Sequence, residues 1–381
     1  MKSHELSHQF AIQYLSSLPE EENGAASPIG LFVCLSLAKL GAEGDTLSEF
    51  IELIGDDAEN TEALVKQLAY WNDEKFELKF ANGVFVRNGI TLNKSFEKKL
   101  KNSFSALSRN VDFGTEAGGK VINDWIKKQT NGLLGDVIGD TSNVLAILVN
   151  ALYMKGKWVK KFSLSQMSPD FRTSTGDIVK PQMMEKECLF DYYTDPENKF
   201  RVAFFEYEIA KNPAGKWEMG VLLPDPNLLL GSNSKIADFL NFISPENLKK
   251  FKEYNFYGMD SRLPTKLDVL LPKVKIVTDI NLIPLLQKMG LSSAFSADKA
   301  DFSGMTSDTS FYFNTAKQMC YVDIDEEGTE AAAVTMMTMC CSGSTPSLPI
   351  PFYVTSPFIY FIFQPATGII LFVGVVNNPC K

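Results

Sequence analysis

Histidine is almost missing from this chain. Of 381 residues only His4 and His8 carry an imidazole, both near the N-terminus. Hydrolases built on a Ser–His or Cys–His pair need that ring beside the nucleophile, and a fraying terminus is a poor place to hold it. The paired histidines of a zinc peptidase helix are missing too. GLLGDVIGD has glycines without the spacing that cradles a dinucleotide, and GAEGDT lacks the lysine of a phosphate loop. The cysteines, Cys34, Cys188, Cys320, Cys340, Cys341 and Cys380, follow neither a zinc spacing nor a dense disulfide framework. No metal, no cofactor and no catalysis by the chain itself are therefore expected. A Ser or Cys hydrolase is the distant alternative, and loss of activity on changing His4 and His8 to Ala would mark it.

A long uninterrupted apolar run is lacking as well. MKSHELSHQFAIQYLSSL has no stretch suited to a signal peptide. The most apolar region, PFIYFIFQPATGIILFVGVV, is split by the turn residues Gln364 to Gly368, so it reads as two buried strands in a hairpin rather than a membrane span. No membrane partner is expected. Cys340 and Cys341 are adjacent and bridge each other poorly, and two bare thiols in a loop favour a reducing, cytoplasmic setting. The sequon Asn93-Lys94-Ser95 points weakly the other way, to a secreted protein that has lost its leader. The net charge of −9 lacks the basic footprint of a nucleic-acid binder. In the basic stretch KSFEKKLKNSF, Phe96, Leu100 and Phe104 recur four apart, which makes the lysines the wet face of an amphipathic helix.

The third absence is the most informative. From Ala331 to Cys380 there is no Asp, Glu, Lys or Arg. Yet the start of that run, with CCSGSTPS in it, reads as exposed loop. If the segment after Glu327 became a strand, Thr329, Ala331, Ala333, Thr335, Met337 and Met339 would share one face. Glu330, Ala332, Val334, Met336 and Thr338 would share the other. The only charge, Glu330, falls in the second set, which suits a sheet with one face on a core and one toward water. Freedom from charge then makes sense, because an unpaired charge in a sheet interior is costly.

What is present sets the framework. SHELSHQFAIQYLSSL, SPIGLFVCLSLAKLGAEG (Ser27 as N-cap, Pro28 first in the helix), EAGGKVINDWIKKQTNGLLGDVI (ending near Asn131-Gly132), SKIADFLNFISPENLKKF and DINLIPLLQKMGLSSAF read as helices. ANGVFVR, NVLAILVNALYMKGKW, DIVKPQMMEKE, RVAFFEYE, WEMGVLLP and QMCYVDIDEE read as strands, the second buried on both faces. Helices mostly early, strands mostly late and no regular alternation predict an α+β fold.

Five segments, NDWIKKQTNGLLGDVI, LVNALYMKGKW, LLQKMGLSSAFSADKADFSGM, VDIDEEGTEAAAVT and PFIYFIFQPATGIILFVGVVNNP, occur in an order that resembles the serpin family. The resemblance runs from Leu6 to Pro379 and implies one domain over residues 1–381. It implies three β-sheets, about eight or nine helices and an exposed reactive-centre loop at about 326–351. It also implies a suicide inhibitor, expected to be a monomer, whose partner is a target protease held in a covalent complex. The hinge of that loop would be Glu326, Glu327, Gly328, Thr329, Glu330, Ala331, Ala332 and Ala333. Counting forward from it places the scissile bond at Ser342-Gly343. Counting back from Pro357-Phe358 places it near Pro346-Ser347, so Met339, Cys340 and Cys341 are alternative reactive residues. The loop has no Arg or Lys, which favours elastase-, chymotrypsin-, subtilisin-like or cysteine proteases over a trypsin-like target. Thiols beside the bond would make inhibition redox-sensitive, unless they serve only as small apolar residues.

Further positions carry over from the resemblance. Ser27, Asn150 and Gln318 match a polar cluster that governs opening of the central sheet, with Gly30 where many relatives have Ser and Gln318 where many have His. Trp158 matches the aromatic residue where insertion begins, and Lys273 with Glu326 a salt-bridged pair there. Ser27 as a plain helix cap and Trp158 as a plain core aromatic are the structural alternatives. The rival function within the family is a non-inhibitory storage, carrier or chaperone protein, which charged or bulky hinge residues would mark.

Overall fold

The computed structural model describes residues 2–56, 61–66, 75–209, 215–231, 235–253, 264–329 and 348–381. Eight α-helices and two 3₁₀ segments are delimited among them. The strands are β1 (Gly24–Ala26), β2 (Phe76–Arg87), β3 (Leu107–Val111), β4 (Ala146–Lys157), β5 (Ser163–Leu164), β6 (Phe171–Arg172), β7 (Ile178–Val179), β8 (Met183–Asp195) and β9 (Phe200–Glu206). They continue as β10 (Glu218–Pro224), β11 (Thr265–Pro272), β12 (Val274–Asn281), β13 (Thr315–Ile324), β14 (Gly328–Thr329), β15 (Ile350–Tyr353), β16 (Phe358–Gln364) and β17 (Ile369–Val376).

The central sheet runs β12-β13-β4-β2-β3, with the short β14 alongside β4. A second sheet, β1-β17-β16-β10-β9-β8, continues through β8 into a third, β8-β11-β15 with β5. β8 serves both because it is long: Met183–Phe190 pair with β11 and Asp191–Asp195 with β9. The apolar C-terminal run is the hairpin β16–β17, turned at Gly368 with φ +72°. Among the described residues no helix is long and apolar enough to cross a membrane.

β4 explains why the central sheet is stable at its middle. Its sequence AILVNALYMKGK buries side chains on both faces. Leu148, Leu152 and Met154 join the main core with helix Pro28–Lys39. That helix is buried all round, as its continuous apolar composition requires. Ile147, Val149, Ala151 and Tyr153 join a separate core with Ile122 and Ile126 of helix Glu116–Gln129. β4 is thus buried on both faces, as its continuous apolar run suggested; what is corrected is the water-facing side expected of the sheet that an entering strand would join, because a helix lies on it over that stretch.

Several element boundaries also differ from the sequence reading: SKIADFLNFISPENLKKF divides into the 3₁₀ segment Ile236–Phe242 and helix Pro245–Glu253, and DIVKPQMMEKE into β7 and the start of β8. Asp279–Asn281 close β12 instead of opening a helix, because Val274–Asn281 alternate buried and exposed without a break. The helix that follows covers only Ile283–Lys288. β13 stops at Ile324, where the chain turns, so the acidic residues after it are not strand. Asn131 and Gly132 take positive φ just past the end of helix Glu116–Gln129, at the place the Asn-Gly pair marked.

Candidate functional site: a fork in the central sheet

β4 and β13 pair in parallel from Ile147–Thr315 to Tyr153–Tyr321 and then part. β13 stays with β12 as far as Ile324 opposite Val274. In the fork the chain reverses and returns as β14, antiparallel to β4, with Gly328 opposite Lys157 and Thr329 opposite Gly156. The reversal is an Asx-type turn. The Asp325 carboxylate oxygen Oδ1 accepts from the backbone N–H groups of Glu327 (2.9 Å) and Gly328 (3.1 Å), and the Asp325 N–H donates to the Gly328 carbonyl (2.9 Å). Burial raises the pKa of Asp325, with these N–H donors pulling the other way.

Glycine is required here twice. Gly328 has φ +148°, and a Cβ on it would stand 2.0 Å from the Gly156 carbonyl oxygen. A Cβ on Gly156 would stand 2.8 Å from the Tyr207 ring. Trp158 closes the top of the fork. Its ring stacks on Tyr207 at 4.5 Å, its Nε1–H donates to the Asp325 carbonyl (2.8 Å), and its backbone N–H donates to the Glu327 carbonyl (3.0 Å). Two ion pairs brace the turn, Lys273 with Glu326 and Lys161 with Glu327, each at 2.6 Å. Burial is the largest influence on Glu326 and opposes its charge, but the hydrogen bond and charge of Lys273 together with a backbone hydrogen bond outweigh it and hold the carboxyl below its ordinary range.

Lower down, a buried polar ladder crosses three neighbouring strands. Gln318 of β13 lies opposite Asn150 of β4, which lies opposite Asn82 of β2. Gln318 Nε2–H donates to Asn150 Oδ1 (2.9 Å), and Asn150 Nδ2–H donates to Asn82 Oδ1 (2.8 Å). Gln318 also grips the backbone of Ser27, accepting from its N–H (2.9 Å) and donating to its carbonyl (3.0 Å). Ser27 Oγ accepts from the Gly30 N–H (3.1 Å), which makes it the N-cap, and donates to the Leu371 carbonyl (2.6 Å). Ser27 is thus both a cap and a tie to the second sheet. A Cβ on Gly30 would stand 2.5 Å from Leu152 and 2.7 Å from Asn150 Oδ1, so the space that a longer side chain would need is already taken.

The structure thus brings Ser27, Asn150 and Gln318 together in one network, and Trp158, Lys273, Glu326, Glu327, Gly328 and Thr329 in another at the fork. Glu330, Ala331, Ala332, Ala333, Met339, Cys340, Cys341, Ser342 and Gly343 lie outside the described residues. Sequence reasoning missed Asp325, Lys161 and Asn82. The first had a signal, an Asp followed three residues later by Gly; Asn82 was a polar residue inside an apolar strand.

Comparison with known proteins places this architecture. A fold of three sheets with a forked central sheet is that of the serpins. The serpin (serine protease inhibitor) family profile matches residues 5–379, and the chain belongs to that family. Human serpin B8 is 28% identical over 97% of this chain and 97% of its own. Serpin-Z2B of Triticum aestivum is 30% identical over 96% of this chain and 92% of its own. The crystal structure of Manduca sexta serpin-12 superposes with a TM-score of 0.83 at 25% identity, covering 100% of this chain and 99% of that one.

Proposed function

We propose that the protein is a suicide-substrate protease inhibitor acting as one unit over residues 1–381, and that the segment after Thr329 is the strand it takes up. The single observation that carries this reading is the register of β14. Its two residues already pair with the end of β4, in the space where β4 and β13 have parted. Extending the same pairing one residue at a time sets Ala333 opposite Leu152 and Met339 opposite Ala146, where β4 begins. Between Ala331 and Met339, over the whole length in which the segment would lie against β4 below Lys155, it carries no charge.

In the proposed reaction a target protease attacks the Ser342 carbonyl, the Gly343 amine leaves, and the acyl-enzyme forms. The freed segment enters the sheet and carries the tethered protease away before water can release it. Each new hydrogen bond contributes about 0.5–1.5 kcal/mol net and each Å² of apolar burial about 25 cal/mol. The gain over roughly a dozen residues is on the order of 10 kcal/mol, so the intact state is metastable and held by a barrier. Small and apolar loop residues favour an elastase-like target first. The bare thiols favour a cytoplasmic setting, and the sequon that points the other way has a structural role: the Asn93 side-chain amide donates to the Ser303 and Gly304 carbonyls at 3.3 and 3.1 Å.

The test is a protease panel followed by boiling in detergent. A surviving adduct with an elastase-like enzyme, together with a cleaved chain that melts about 10 °C higher or more, is expected. Clean cleavage without adduct and with unchanged melting would give the non-inhibitory carrier or storage reading instead.

A further inference from the structure

Away from the fork, the end of helix Lys2–Ser16, the 3₁₀ segment Ile236–Phe242 and the end of β17 enclose a cavity of about 400 Å³. Leu15, Leu18, Ile236 and Val375 supply apolar wall. A second lobe of about 270 Å³ lies beside it, bounded by Arg172, Ile178 and Ser356. Ser174, Leu229 and Pro357 line both, so the two are one cleft with a neck. The larger lobe alone is in the size range of small-molecule sites.

Three polar groups in this cleft have nothing to bind among the described residues. Asn377 is 4% exposed; its Nδ2–H donates to the Glu22 carbonyl at 2.7 Å, which fixes the amide orientation, and its Oδ1 has no partner. Ser356 is 5% exposed and its Oγ has no partner. The Arg172 guanidinium, at the mouth of the smaller lobe, makes no ion pair or side-chain hydrogen bond. The other charges there are already matched: Lys235 pairs with Glu20 at 2.8 Å, and Asp170 with Lys180 at 3.7 Å. Buried polar atoms are rarely left unsatisfied without a reason.

We propose that this cleft is a binding site for a hydroxylated, long-chain apolar carboxylic acid. The carboxylate pairs with Arg172 and accepts from the Ser356 hydroxyl. The hydrocarbon passes through the neck and lies along the wall of Leu15, Leu18, Ile236 and Val375 in the larger lobe, and the hydroxyl donates to Asn377 Oδ1. The site is separate from the fork and does not depend on protease inhibition.

The intact chain is titrated with cis-parinaric acid, a fluorescent long-chain carboxylate, and the probe is displaced with stearate and with hydroxystearate. Saturable binding is expected, with hydroxystearate about fivefold better than stearate. Arg172→Ala weakens the probe about tenfold. Ser174→Trp, which plugs the neck, abolishes it, and Asn377→Leu removes the preference for hydroxystearate while leaving the probe unchanged. Signal that does not saturate, or that ignores both Arg172→Ala and Ser174→Trp in chains that melt like the parent, overturns the proposal. Arg172 is exposed, so its variant keeps the test decisive even where a buried substitution fails to fold.

Discussion

A missing Cβ decides where the returning chain can lie. Gly328 stands so close to the Gly156 carbonyl that any side chain would push β14 off β4. Gly328→Ala is predicted to destabilise the fold by roughly 1–3 kcal/mol through strain at positive φ, read as a lower melting temperature in both intact and cleaved chains. His8 is a different kind of residue-level constraint. It is buried, its Nδ1 has no partner among the described residues, and desolvation lowers its pKa from 6.5 to about 4. The unfolded chain therefore takes up a proton near pH 6.5 that the folded chain refuses until about pH 4. Stability contributed by neutral His8 is complete above that window and falls as pH drops through it, by at most about 3 kcal/mol. His8→Leu should flatten the pH dependence of unfolding between pH 7 and pH 4.5 relative to the parent; equal slopes would remove His8 as the cause. Single residues differed in legibility. Ser27 was readable because Ser-Pro before an apolar run has a local meaning. Asn82 acquires its role only from strands far away in sequence, which no local pattern records.

Elements were more legible than their ends. The apolar period placed helix Pro28–Lys39 and β4, and the turn chemistry at Gln364–Gly368 separated β16 from β17. The boundaries at Asn281 and Ile324 were set by pairing between β12 and β13, a tertiary fact. The same pairing logic gives the sharpest test of loop uptake. In the register of β14, Ala333 comes opposite Leu152, whose side chain belongs to the main core beside helix Pro28–Lys39. Ala333→Asp would bring a carboxylate there with no partner, at a cost of several kcal/mol. The variant is predicted to be cut as a substrate, with the moles of inhibitor consumed per mole of protease rising at least about tenfold. An unchanged ratio would argue strongly against uptake. Glu330 in the same register falls opposite Lys155, near the open end of the sheet, where a charge is tolerable.

For the whole molecule, family membership and the three-sheet architecture were legible because five separated segments keep their order along the chain. The covering of the central sheet was not. Helix Glu116–Gln129 lies on the face that the second side-chain set of an entering strand must use lower down, as Val149 and Ala151 in its buried core attest. On the proposed mechanism, widening the sheet would have to disturb a packed helix transiently, which would add a barrier between the two states without altering their difference in free energy.

The amide rung at the middle of that sheet has a consequence of its own. Asn150 and Gln318 touch only while β4 and β13 are neighbours, and a guest strand would part them. Continuing the pairing of Gly328 with Lys157 and Thr329 with Gly156 brings Thr335 into the vacated rung. Its hydroxyl can donate to one amide and accept from the other, so two orphaned groups are satisfied at once. Thr335→Val should leave the rate of cleavage alone and lower the heat stability of the cleaved form by about 1–3 kcal/mol; a cleaved form of undiminished stability would refute the pairing. On the proposed mechanism the sheet's centre would act as a checkpoint, accepting a segment whose chemistry replaces what its arrival removes.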